Sequence, residues 1–430
     1  MRYWWVIIMV FQIAISFSQS IYFPPSNSSV WDTLSISRLG WCPDKVNDFY
    51  NYLDEQQTKS FILLKDGKIV LEKYFGSFTK DSLWIWYSAG KSLHSVLIGI
   101  AQEKGDLNIN LKTSDYLGKG WTSLPPEKED LITVRHQLTM TSGLNELAFF
   151  CVEPGCLIYK ADAGTRWAYH NGPYDLLKDV LESASQQNIN VFTTLQLKIK
   201  IGMSSGIWIQ VPPNHYFLST ARDMASFGLL MQNKMVWNGN PVLRDTAYYN
   251  AMISSSQELN PSYGYLWWLN GKQSHIKPSG PSSVPGPISP HAPEDIFTAG
   301  GAMGQFVSVS RNTGLIMIRQ GLSASDDLSG LDLHDLIWER IMDLGCITSN
   351  SASQKKESIH LYPNPSQRYI SVDIPNTSPI EAKIYDLQGR LIQKSFDPKI
   401  DLKAFSKGIY IIAVTDKSNN LIKIQKIILQ

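Results

Sequence analysis

At 430 residues, with 43% hydrophobic and 18% charged side chains, the chain is long enough to bury a sizeable core and to hold one large domain beside a smaller one. Its 39 lysines and arginines against 38 aspartates and glutamates leave a formal net charge of +1, which removes any electrostatic case for nucleic acid or an anionic membrane surface as a partner. The N-terminus stands apart from the rest. Arg2 precedes an apolar run from Trp4 to Ile15, and Ser16-Phe17-Ser18 sets small residues at the minus-three and minus-one positions before Gln19. This predicts a secretory signal peptide over residues 1–18. No stable membrane span is expected, because an apolar stretch of about 12 to 14 residues is short of the roughly 20 that a spanning helix needs. The first cysteine is Cys42, so none lies at the cut to take a lipid.

A Pro/Ser-rich entry leads to helical material from Pro43 to about Thr58. Residues 60–72 then read as two apolar strands around Asp66-Gly67, a strong hairpin signal. After the aromatic run Trp84 to Tyr87, apolar positions at Leu93, Val96, Leu97, Ile100 and Ala101 recur at helical spacing until Gln102-Glu103-Lys104-Gly105 ends them. Residues 107–116 form a polar connection, and a helix over 134–140 is expected to stop at Gly143. Further helices are expected from Pro173 to about Ser183 and after Thr220, which offers a capping hydroxyl. Tyr263 to Trp268 is strand-like; Trp267 and Trp268 either line a pocket or fill the core, with the core favoured. A Pro/Gly/Ser-rich loop precedes the strands 305–310 and 315–318, and a helix with Leu333, Leu336, Ile337 and Ile341 closes the body. Polar residues 347–358 read as a linker, and residues 359–430 as short strands turning at Gly389, Gly408 and Asn419-Asn420.

Four cysteines in an exported chain fit disulfides. Cys151 and Cys156 flank a Pro-Gly turn and are placed to close a small loop, while Cys42 and Cys346 bracket the body; spacing alone leaves the pairing open. No cysteine has a histidine at metal-ligand spacing, and no metal or organic cofactor is expected.

The chemistry concentrates at Ser88-Ala89-Gly90-Lys91. A serine and a lysine three apart lie on one helical face, and a lysine whose proton affinity is lowered by burial or a neighbouring cation can serve as base for an otherwise inert hydroxyl. The same spacing recurs at Ser77/Lys80, Ser274/Lys277 and Ser353/Lys356, but only Ser88 follows an aromatic run and opens an apolar helix. Gly90-Lys91-Ser92 imitates the end of a phosphate-binding loop; Ile85 stands where that motif needs glycine, so the nucleotide reading fails. Tyr169-His170-Asn171 supplies a third group. A tyrosine hydroxyl relays protons if nearby cations depress its pKa, and Asn171 suits hydrogen bonding to the lysine or a substrate amide. His170 stands between them, with its side chain expected to point away from its neighbours' direction.

Ser88-x-x-Lys91, Leu138 to Leu144, Tyr169-x-Asn171 and Ser219-Thr220-Ala221-Arg222-Asp223-Met224, in that order, resemble the serine beta-lactamase and penicillin-binding superfamily over residues 55 to 342. The closer branch holds class C beta-lactamases, D-alanyl carboxypeptidases, family VIII-like esterases and 6-aminohexanoate-dimer hydrolases. The resemblance implies an α/β (α+β) fold, an antiparallel sheet flanked by helices with an added helical region, over residues 19–346. It also implies that Ser88 is acylated, Lys91 is its base partner, Tyr169 moves protons and Asn171 positions substrate. The third motif of that family begins with Lys or His; its counterpart here is Ala299-Gly300-Gly301 before Ala302, without the cation. Gly301 and Ala302 are then the substrate-binding edge, with backbone amides of Ser88 and a residue near Ala302 as oxyanion hole. A missing cation favours an ester or small amide over a carboxylate-bearing beta-lactam, unless a distant arginine replaces it. The alternatives are a beta-lactamase or D-alanyl carboxypeptidase acting on peptide-like amides, and a non-catalytic pseudoenzyme that binds peptidoglycan fragments or another ligand.

Leu361-Tyr362-Pro363-Asn364-Pro365, Ile384 to Arg390 and Lys407-Gly408-Ile409-Tyr410 resemble the C-terminal sorting domain of the type IX secretion system of Bacteroidota. That resemblance implies a small all-β sandwich, the secretion machinery as partner, and a secreted or cell-surface protein. The other reading of such a unit is a binding module, for instance for carbohydrate.

Overall fold

The computed structural model describes residues 21–25, 30–280, 282–324, 329–346, 360–373, 381–386, 390–415 and 421–430. The predicted signal peptide, the predicted linker and the turns at Gly389 and Asn419-Asn420 lie outside the described residues. The chain divides into two compact units, Met1–Cys346 and Ile347–Gln430.

In the first unit α1 (Pro43–Glu55) leads into β1 (Thr58–Lys65) and β2 (Lys68–Tyr74). Asp66 and Gly67 between them take left-handed backbone at φ 50° and 85°, the conformation whose twist matches the flanking strands. The short β3 (Trp84–Ile85) precedes α2 (Gly90–Glu103), α3 (Val134–Leu138), α4 (Asn171–Asp175) and α5 (Leu177–Ser185). The hairpin β4 (Ile207–Val211) and β5 (Asn214–Ser219) feeds α6 (Ala221–Gln232). Then come β6 (Trp268–Leu269), β7 (Phe297–Gly301), β8 (Gln305–Val309), β9 (Leu315–Gly321) and α7 (Leu331–Met342).

One antiparallel sheet in the order β2-β1-β9-β8-β7-β6 forms the frame, and β3-β5-β4 forms a smaller one. Alternation along β1 explains why its sequence is continuously apolar. Phe61 and Leu63 pack with Phe49 and Leu53 of α1 and Ile337 and Trp338 of α7, while Ile62 and Leu64 pack with α2 and α6 on the opposite face. Both faces are thus covered by helices. A central strand in such a sheet has no polar side to show.

Two elements differ from the sequence expectation. The helix over 134–140 ends at Leu138, because Met140 takes φ 58° and Gly143 is pressed against Ala161, where an added Cβ would lie 2.2 Å from the carbonyl oxygen. Of the strand-like stretch 263–268 only Trp268 enters the sheet. Leu266 takes φ 61°, with its N–H bonded to Leu138 O at 3.0 Å and its carbonyl accepting from Ser92 Oγ at 2.6 Å, so neighbouring segments bend it into a tight turn. Both disulfides, Cys42 to Cys346 and Cys151 to Cys156, are formed.

The second unit is all-β among its described residues. Strands β10 (His360–Tyr362), β11 (Tyr369–Asp373), β12 (Glu381–Tyr385), β13 (Leu391–Ser395), β14 (Lys399–Asp401), β15 (Gly408–Thr415) and β16 (Leu421–Leu429) form two sheets, β10-β11-β14 and β13-β12-β15-β16. They share a core that includes Ile370, Ile384, Ile400, Ile412 and Val414.

Candidate active site

Trp86 fixes the approach to Ser88. Its N–H bonds Phe217 O at 2.8 Å, its indole N–H bonds Ser219 Oγ at 2.8 Å, and the ring is fully buried edge-on to Phe217. From this anchor the chain makes a single 3-10 turn, Tyr87–Ala89, with Tyr87 in left-handed backbone at φ 46°. Ser88 therefore sits just ahead of α2 rather than inside it, and Lys91 occupies the first turn of α2. The three-residue spacing still brings Lys91 Nζ to 3.4 Å from Ser88 Oγ.

Lys91 is 5% exposed, and among the described residues it forms no ion pair. Burial lowers its pKa to about 7, opposed by the charge of Asp175. Its amine lies 3.9 Å from the ring centre of Tyr174 and 5.4 Å from that of Tyr169. The Tyr169 hydroxyl hydrogen-bonds Ser88. Contrary to the sequence expectation, its pKa is not depressed: burial pushes it above the ordinary tyrosine range, and Tyr216 adds to the rise. The reason is visible in its surroundings, since its ring stacks on Trp268 at 6.0 Å and Phe149 at 6.1 Å, and Lys91 addresses the ring face.

The other two motifs of the resemblance are supports. Met140 O accepts from Ala168 N at 2.9 Å, and Thr141 O accepts from Gly164 N at 2.8 Å, so the 138–144 segment holds the irregular stretch leading to Tyr169. Thr220 caps α6 through a bond from Asp223 N at 3.2 Å, and the Asp223 carboxylate accepts from Ser204 N at 2.9 Å. His170 caps α4, its Nδ1 accepting from Gly172 N at 3.2 Å, and burial lowers its pKa to about 4. Asn171, the first residue of α4, lines the pocket.

The end of β7 closes the site. Gly301 runs so close to the Ser88 turn that an added Cβ would lie 2.3 Å from Trp86 O and 2.9 Å from Ala89 N. An added Cβ on Gly300 would lie 3.1 Å from Trp268 Cδ1, so the indole fills the space of a side chain at that position. Beyond Gly301 the chain turns through Met303 (φ 60°) and Gly304 (φ 80°). The fully buried Arg319 holds this turn by donating to Met303 O at 2.9 Å and Gly304 O at 2.8 Å, with its remaining donors on Thr58, Gln56 and Leu322. No arginine is among the described residues lining the pocket, so none stands in for the absent cation of the third motif.

Ser88, Lys91, Tyr169, Asn171, Gly301 and Ala302 all line one cavity of about 540 Å³. Sequence reasoning missed Phe149 and Phe150, which stand immediately ahead of the loop that the Cys151 to Cys156 disulfide closes, and the pair Asp175 and His215. Asp175 lies four residues after Asn171 on one helix, a same-face spacing that points to it; His215 has no local signal. Of the two tryptophans, Trp268 lines the pocket and Trp267 is core. Among the described residues no cluster of His, Cys, Asp or Glu suits a metal ion, and no helix is long and apolar enough to cross a membrane.

Residues 53–320 match the beta-lactamase family model, and residues 360–430 match that of the secretion system C-terminal sorting domain. No curated protein matches the chain by sequence. Among solved structures, a Bacillus anthracis protein assigned as a 6-aminohexanoate-dimer hydrolase superposes with a TM-score of 0.57 at 15% identity, over 76% of this chain and 92% of that one. A Mycobacterium bovis beta-lactamase gives 0.51 at 16% identity, over 69% and 100%. A penicillin-binding protein homologue from Caulobacter crescentus gives 0.53 at 13%, over 71% and 98%. At these identities the structures speak for the fold, and the family model for membership. The terminal unit is a type IX sorting domain, which marks the protein for export and for secretion or attachment at the cell surface. By its body, the chain belongs to the beta-lactamase-like serine hydrolase superfamily.

Proposed function

We propose that this protein cleaves an ester or small amide, one without a carboxylate beside the scissile bond, through an acyl-enzyme on Ser88. The observation that carries the reading is the buried Lys91 amine 3.4 Å from Ser88 Oγ, with a pKa lowered to about 7. A free amine is then abundant at neutral pH, where an ordinary lysine is almost wholly charged. Lys91 takes the Ser88 proton as Oγ attacks the carbonyl carbon. Charge on the tetrahedral oxygen is met by backbone N–H groups of Ser88 and Ala302. As the intermediate collapses, the neutral Tyr169 hydroxyl gives its proton to the leaving alcohol or amine and is resupplied from the Lys91 ammonium. Water then attacks the acyl carbon along the same route in reverse, releasing the acid and returning the proton to Ser88. Asn171 orients the substrate. The indole of Trp268 over Gly300 supports the substrate preference, because it puts an aromatic wall where the third motif of the family would present polar side chains.

Intact-mass labelling with a fluorophosphonate and with a penicillin, beside Ser88→Ala, tests this. Labelling by the fluorophosphonate and its loss in the variant is the expected result. Preferential labelling by penicillin transfers the reading to lactam or D-alanyl chemistry. If neither reagent adds mass to the native protein, the hydrolase reading fails and a ligand-binding pseudoenzyme replaces it.

A further inference from the structure

The charges around the pocket are unevenly placed. Asp175 is the one carboxylate among its described lining residues, and Lys91, the one lysine, is occupied at Ser88. Asp175 is 5% exposed and accepts twice from His215, from the backbone N–H at 3.0 Å and from ring Nδ1 at 3.2 Å. A carboxylate offers about four lone-pair sites, so room for further donors remains. The His215 ring thus lies along one edge of the carboxylate. The same two residues also line a second cavity of about 430 Å³ on their other side, with Asp179, Glu182 and Lys178. Lys178 is already paired with both of those acids, at 2.6 Å and 3.0 Å, so that side holds three carboxylates to one lysine.

Aromatic faces adjoin this negative wall. Tyr87 and Tyr216 meet edge to face at 6.0 Å, with Phe149 and Trp268 across the pocket. One ring face here is already addressed by a nitrogen, the Lys91 amine 3.9 Å from the centre of the Tyr174 ring, and such faces attract a cation placed over them. An anionic substrate finds no free counter-charge in such a pocket. A cation finds a carboxylate and π-faces together.

We propose that the pocket takes substrates bearing an ammonium group, held against Asp175 and the aromatic faces beside it while the scissile carbonyl lies at Ser88. The placement of the carbonyl rests on the hydrolase reading; the ammonium site rests on the pocket wall alone. The test is binding of choline and of its uncharged isostere 3,3-dimethylbutan-1-ol to the full chain at pH 8, above the ordinary imidazole range, by isothermal titration calorimetry. Choline is expected to bind at least about tenfold more tightly. In Asp175→Asn, which keeps an oxygen for the His215 N–H, the ratio is expected to fall to within about twofold, and in His215→Ala, which keeps the carboxylate, to persist. Equal binding by the native protein overturns the proposal, and so does a preference that survives in Asp175→Asn. If that variant does not fold, the native pair still decides, together with kcat/KM for acetylcholine against 3,3-dimethylbutyl acetate, expected to favour the charged ester by a similar factor. Choline preference without fluorophosphonate labelling of Ser88 would keep the ammonium site and sink the hydrolase reading; labelling without preference would do the opposite.

Discussion

The turn that carries Ser88 and the end of β7 lie side by side in the pocket wall and are built of opposite materials. The first presents functional side chains, Ser88 and Lys91, with Tyr169 hydrogen-bonded to the serine. The second, Ala299-Gly300-Gly301-Ala302, has no side-chain atom beyond Cβ. Moving a proton needs groups that titrate or exchange, so under the proposed mechanism the first wall cannot be simplified without losing the reaction. Stabilising an oxyanion needs only fixed N–H groups, which any residue but proline supplies. The second wall offers no recognition by side chains, and Trp268, Phe149 and Asp175 surround the space beside it.

Gly301→Ala should break this arrangement most severely. The new methyl would lie 2.3 Å from Trp86 O and 2.9 Å from Ala89 N, both backbone atoms that cannot rotate away. Either the end of β7 or the Ser88 turn must shift, and with it the N–H groups proposed as oxyanion donors. Losing one such donor costs about a hundredfold to a thousandfold in kcat, so a loss of that order is expected, with KM moved far less. Circular dichroism should remain native-like, because the clash is local. A variant that keeps kcat within about threefold would mean that the backbone wall does not hold the transition state.

A second test separates the walls by pH. The backbone edge does not titrate, whereas Lys91 changes state near pH 7. If its free amine is the base, kcat/KM rises about tenfold per pH unit below 7 and levels off above it. Tyr169, held protonated by burial, adds no descending limb until strongly alkaline pH. A profile already flat from pH 5 would exclude Lys91 as the base. An acidic limb centred near 4 would point to a carboxylate instead.

What the sequence disclosed follows the range of the interactions concerned. The Asp66-Gly67 turn, the Thr220 cap and the Ser88 to Lys91 spacing are contacts between near neighbours, and each stands where local chemistry puts it. Tyr263 to Trp268 reads as a strand because its residues suit one, yet bonds from Leu138 and Ser92, far away in the chain, bend it. Tyr169 repeats the lesson in electrostatics. Neighbouring cations were the expected influence on its hydroxyl, but its pKa depends on how many rings surround it, and those arrive from the Phe149 loop and from Trp268. His215 reaches Asp175 across 40 residues, with nothing local to announce it.

The smallest effect belongs to the residue that most resembles a catalytic base by type. His170 lies between Tyr169 and Asn171, yet it is not among the residues lining the pocket. Its Nδ1 caps α4 by accepting from Gly172 N, and burial keeps the ring neutral to about pH 4. In His170→Asn the shorter amide oxygen remains a good acceptor at a helix N-cap, so the cap survives and the cost is the space that the ring leaves. Stability should fall by about 1–2 kcal/mol, read as a drop of a few degrees in Tm. Turnover should stay within about twofold and keep the same acidic limb near pH 7. Loss of that limb would instead make His170 the group that titrates, and would move the proton-transfer centre off the Lys91 side of the pocket.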